Sequence, residues 1–243
     1  MSTKHKNTLV SLNGSPIYHY DEPAPWQPAV TEICLEQISD HIERHLGPIE
    51  TVFHELASDT VHIDVHWVKA SEDFPFAQLI TSGMSDLPMS VPDDSGVPRH
   101  LELVMTLPGD WRFDMESFQD ERWYWPVRLM KTLARLPHKH ATWLGWGHTM
   151  PNGDPPEAFA DNTRLCGAIL LSPVVSPEAF QTLRIDDNKE IHFLAVVPLY
   201  MEEMNLKLRS GAEALCERFA KHRLNDIVDL ARTNVARKRF GLF

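Results

Sequence analysis

The chain has 243 residues, 43% of them hydrophobic and 23% charged, which is ordinary for a water-soluble globular protein able to bury a sizeable core. Its formal charge of −11 disfavours a general nucleic-acid binder, which needs basic surface to meet phosphates. No apolar run reaches the roughly 20 residues of a membrane span, and the opening MSTKHKNTLVSLNGSP lacks the apolar region of a secretory signal, so a cytoplasmic protein is expected.

The three cysteines, Cys34, Cys166 and Cys216, are far apart and sit in apolar patterns. They read as reduced residues in or near a core. Charge is distributed unevenly. From Tyr200 to Phe243 nine Lys/Arg outnumber six Asp/Glu, so that segment carries +3 and the rest of the chain −14. A partner attracted to the main body would be basic.

Residues 1–28 are polar and carry Pro16, Pro23, Pro25 and Pro28, the composition of an extended N-terminal arm. The body is expected over 29–235, and a basic tail, with Arg237, Lys238 and Arg239, over 236–243. Ile33, Leu35, Ile38, Ile42 and Leu46 predict a helix over Thr31–Leu46, stopped by Gly47-Pro48. Val52–Leu56 suits a short strand. Period-two alternation then predicts a strand from Val61 to Val68, and a second follows over Phe76–Thr81, where Ser82-Gly83 and Pro88 end it.

Leu101–Leu107 reads as a further strand with Glu102 inside it. The stretch Trp111–Trp125 is crowded with aromatic residues and leads to a helix expected to begin at Pro126 and end at Pro137. Trp143–Thr149 is expected to be extended, Cys166–Leu171 a central strand, and Phe180–Ile185 with Ile191–Val197 a hairpin. Met204, Leu208, Leu215 and Phe219 mark a helix with Gly211 as a break, and a weaker helix is expected over Ile227–Val235. Strands outnumber helices and come mostly as adjacent pairs. The expected fold is therefore α+β: a mixed, mostly antiparallel central sheet flanked by helices.

Chemistry is harder to place. His62, Asp64 and His66 share a strand face, and all three types bind metals. Same-face Cα atoms on a strand are about 6.5–7 Å apart, so three in a row do not readily converge on one ion. Neither HExxH nor paired CxxC is present, and no metal or cofactor is expected. Ser82-Gly83-Met84-Ser85 has the wrong order for a hydrolase elbow. Glu202-Glu203, adjacent on a helix, diverge by about 100° and suit a helix N-terminus better than an acid–base pair. Trp146 and His148, two apart beside a Pro/Gly loop, are candidates for an interface anchor.

Several segments together resemble the suppressor-of-fused (SUFU) domain family. They are His62-Ile-Asp-Val, Leu79-Ile-Thr-Ser-Gly-Met-Ser-Asp-Leu-Pro-Met89, Glu102–Trp111, Trp125–Pro137, Gly147-His148 and Pro198–Met204. They occur in the family's order from roughly Val61 to Asn234, as in a compact bacterial-type single-domain member. The resemblance implies a domain without a catalytic site or metal that binds a protein partner. Animal relatives join this domain to a second one and hold a transcription-factor peptide between them. They also have an aspartate where this chain has Gly147, so the same peptide specificity is not implied.

Compact bacterial relatives are thought to act as immunity proteins beside secreted toxins, which implies a cytoplasmic neutraliser. With the acidic body, the expected partner is a basic toxin effector, bound through Asp64, Asp86, Asp93, Asp94 and Asp154 and anchored by Trp146 and His148. A homodimer through the aromatic Trp111–Trp125 stretch is a further expectation, nucleic acid and membrane are not expected partners, and the competing function is a hydrolase built from dispersed His, Asp and Ser residues.

Overall fold

A computed structural model describes residues 9–20, 23, 33–55, 60–93 and 95–237. In chain order the elements are β1 (Leu9–Val10), β2 (Pro16–Ile17), α1 (Leu35–His45), β3 (Ile49–Phe53), β4 (Asp64–Val68), β5 (Phe76–Ser82) and β6 (His100–Pro108). There follow α2 (Glu121–Lys139), β7 (Thr149–Pro151), β8 (Leu165–Leu171), β9 (Thr182–Arg184), β10 (Glu190–Tyr200), α3 (Met201–Ser210) and α4 (Ala212–Lys221).

Eight strands form one sheet in the order β3-β4-β5-β6-β10-β8-β7, with β9 paired to the first residues of β10. Among the described strands every pairing is antiparallel except β10 beside β6. The fold is α+β, as its strand-rich pattern predicts.

Strand periodicity sends alternate side chains to opposite faces and so divides the core in two. From β6, Leu101, Leu103, Met105 and Leu107 pack on the side of α2, with its Trp125, Met130 and Leu133. Val104 faces the other way, among Ile38 and Ile42 of α1, Phe193 and Leu199 of β10, and Leu215 and Phe219 of α4. The sheet is thus a middle layer between α2 on one side and α1, α3 and α4 on the other.

Several boundaries differ from the sequence pattern for local reasons. α2 begins at Glu121, five residues before Pro126, because the Asp120 side chain caps it by accepting the Arg122 N–H at 2.9 Å. Pro137 lies inside α2 as well, two residues from its end. Residues 143–148 are not a strand; Gly147 has φ +77°, and pairing begins only at Thr149. Ile227–Val235 is not helical, since Ile227 bridges Thr106 and Val228 N–H donates to Thr106 O at 2.8 Å.

The aromatic stretch is spent on the core. Trp111, Phe113 and Trp125 are buried, Trp125 stacks on Phe159 at 4.8 Å, and Phe113 meets Trp67 at 4.5 Å. Of the expected N-terminal arm, residues 9–20 and 23 are described. They hold the small β1–β2 pair, tied to the body through Asn13 N–H to Leu208 O and a Tyr20–Thr142 hydroxyl contact of 2.8 Å. The rest of the arm, the tail from 238 onward and Asp94 lie outside the described residues.

Candidate functional site

The turn after β5 is fixed by backbone geometry. Gly83 has φ +96°, and a Cβ there would fall 1.8 Å from His62 O, so only glycine fits. The following Met84–Asp86 turn is held from below by Glu102 of β6. Its carboxylate accepts Thr81 Oγ1–H at 2.6 Å, Ser85 N–H at 2.9 Å and Ser85 Oγ–H at 2.7 Å. Complete burial pushes the Glu102 carboxyl up to about 7, against the pull of those hydrogen bonds.

Beside it, His66 Nε2 lies 2.8 Å from Ser82 Oγ, the separation of a nucleophile and its base. The surroundings do not suit catalysis. Ser82 is 3% exposed and His66 1%, burial holds the imidazole down at about 4, and its Nδ1 has no hydrogen-bond partner among the described residues to orient the ring. The pair bridges two neighbouring strands inside the sheet.

A second region is open. Trp146, Leu171, Val174, Val197 and Phe219 wall a groove of about 260 Å³ between the end of β8 and α4, and Asp226 borders it. Trp146 is 45% exposed and Val174 70%. Asp226 Oδ1 accepts the N–H groups of Val174 and Val175 at 3.3 and 3.1 Å, whereas its buried Oδ2 has no hydrogen-bond partner among the described residues. Burial raises the Asp226 carboxyl above the usual range.

The expected binding residues do not form one cluster. Asp64 and Asp86 were expected in loops or on exposed faces, but both are buried and border one small recess with His62, Ser82 and Gly83. Asp93 and Asp154 are exposed, Asp93 paired with Arg99 at 3.0 Å. Trp146 and His148 diverge across the turn at Gly147. The tryptophan borders the groove, while His148 packs on Trp143 at 4.3 Å and is held down at about 4 by burial and by Lys207. Asp226, just before the stretch expected to be helical, escaped the sequence reading, and Phe219 was read only as a position on a helix face.

Comparison with known proteins adds the following. The family model described as "Suppressor of fused protein (SUFU)" matches residues 59–233. A crystal structure of a protein described as a SUFU homologue from Neisseria gonorrhoeae superposes with a TM-score of 0.60 at 13% identity, covering 82% of this chain and 95% of that one. A Sufu–Fu complex crystal structure gives a TM-score of 0.57 at 13% identity, covering 83% of this chain and 91% of that one. No curated protein matches. Identities this low speak for the fold alone, but the family match spans well over half of the residues. The chain belongs to the suppressor of fused family.

Proposed function

We propose that this chain is a non-catalytic protein-binding domain whose groove beside Trp146 receives a basic protein, and that the partner is a toxin effector neutralised in the cytoplasm. The observation that carries the reading is the groove itself. An exposed indole and an apolar wall stand beside a buried carboxylate, one oxygen of which has no hydrogen-bond partner among the described residues, on a chain of formal charge −11. Aromatic anchors in apolar pockets carry much of the energy of protein interfaces. A protein–protein complex is also what the Sufu–Fu structure contains.

Charge would act mainly on the encounter, speeding association with a basic surface. The exposed Asp93 and Asp154 are placed to contribute to that field directly; the buried Asp64 and Asp86 are not contact residues in this reading. The hydrolase alternative has its best pair in His66 and Ser82, whose burial argues against it. A homodimer through Trp111–Trp125 has less support, because the tryptophans and phenylalanines there are buried or half-buried against the core.

Affinity capture from the native host, followed by association rates at low and high salt, tests the reading. The expected result is a stable partner whose association slows about tenfold or more as salt is raised, and whose toxicity is suppressed when this chain is co-produced. A partner without toxicity would remove the immunity role and leave the binding role. A failure to recover any stable protein partner would remove both.

A further inference from the structure

Three metal-ligating side chains converge outside the groove, and they are not the three that share a strand face in the sequence. β4 begins at Asp64, so His62 lies just before the strand and its ring turns back toward the Asp64 carboxylate. His54 follows β3 on the neighbouring strand's side of the same connection. His54 Nδ1 lies 2.9 Å from Asp64 Oδ2, and His62 Nε2 lies 3.1 Å from Asp64 Oδ1. The three donor atoms all lie within 4.8 Å of one another. His66, the third member of the strand-face pattern, points instead to Ser82.

We propose that His54, His62 and Asp64 bind one divalent transition-metal ion of the zinc class, with a fourth position open to solvent. Two imidazoles and a carboxylate are a donor set that such ions favour over magnesium or calcium. Bonds of about 2.0–2.1 Å in a tetrahedron put donors roughly 3.4 Å apart, so the atoms need move only by tenths of an ångström to about one. The surroundings supply support from beyond the ligands. Glu55 N–H donates to Asp64 Oδ1 at 3.2 Å, which leaves Oδ2 for the ion. Glu55 also accepts Ile63 N–H at 3.1 Å and pairs with Arg135, tying both ligand-bearing segments together.

Access grades across the cluster: the side chains of His54, His62 and Asp64 are 65%, 23% and 4% exposed. The carboxylate is thus held in the protein while the His54 side faces water, as an entry path requires. Two nearby cations oppose an incoming ion. Arg135 is matched by Glu55, and Lys131 donates to His54 O at 3.1 Å. The competing arrangement is a carboxylate that simply accepts two imidazole N–H groups. It differs in needing protons where the metal needs lone pairs.

The test uses the full chain stripped with a chelator and then titrated with zinc alone, and with cobalt for its absorption spectrum. One ion per chain is expected, with magnesium and calcium failing to compete. His54→Ala and Asp64→Asn are each expected to weaken zinc at least tenfold, while His19→Ala, an exposed histidine outside the cluster, binds as the parent does. His54 is mostly exposed, so its variant keeps the fold, which circular dichroism verifies. Absence of saturable one-to-one binding, or binding that both ligand variants leave unchanged, would overturn the proposal.

Discussion

Two carboxylates in the last quarter of the chain, Glu203 and Asp226, are both buried but differently answered. Glu203 is fully enclosed and receives Arg232 Nη1 and Nη2 at 2.7 and 2.5 Å, with Tyr200 N–H at 3.1 Å and Val235 N–H at 3.0 Å. Arg232 spends a further N–H on Pro198 O at 2.8 Å. Among the described residues, Asp226 has two backbone donors on one oxygen and none on the other, and it borders a groove. A closed network fixes the segment after α4 against β10 and α3. A half-answered one leaves capacity for something outside the chain. Position in the sequence does not distinguish them; the accounting of hydrogen bonds does.

The largest effect should come from opening the closed network. Arg232→Met would strand Glu203 as a buried charge, and unfolding by urea should show a loss of about 3–5 kcal/mol. Stability equal to the parent would mean that the pair is not what holds this segment.

Glu102 sharpens the contrast, being closed by hydrogen bonds yet without a cationic partner among the described residues. Its proton is retained to about pH 7 in the fold but only to about 4.5 in the unfolded chain. The native state therefore binds more protons across that window, and stability falls as pH rises through it. Relative to Glu102→Gln, the parent should lose up to about 3 kcal/mol between pH 4.5 and 7. The buried histidines, His66 and His148, pull the other way as pH falls, but they are common to both proteins and cancel in the difference. A parent-minus-variant difference that stays flat with pH would count against a proton held at Glu102.

Much of this architecture follows from patterns within single segments. The stripe of Ile38 and Ile42, the alternation in β6 and the apolar run of β8 each announce their element, because each depends on burial along one face. The aromatic stretch and Asp120 show where such reading stops: a cap begins α2 ahead of a proline that would suit its first turn. The residues after α4 carry a helical pattern, but Thr106 and Glu203 draw them into an extended path. Trp146 was recognisable by its type and its loop. Asp226 was not, because its surroundings come from Val174 and Val175, some fifty residues earlier. His54 was hidden for a similar reason, meeting Asp64 only once β3 pairs with β4.

The groove is the central claim, and the smallest perturbations to the fold test it most directly. Trp146→Ala and Asp226→Asn should each leave stability within about 1 kcal/mol of the parent, since one side chain is half exposed and the other keeps an oxygen for Val174 and Val175. Affinity for the captured partner, measured by surface plasmon resonance on the folded variants, should fall at least tenfold for each, mainly through faster dissociation. Binding by both variants as tight as the parent's would contradict a partner seated in that groove.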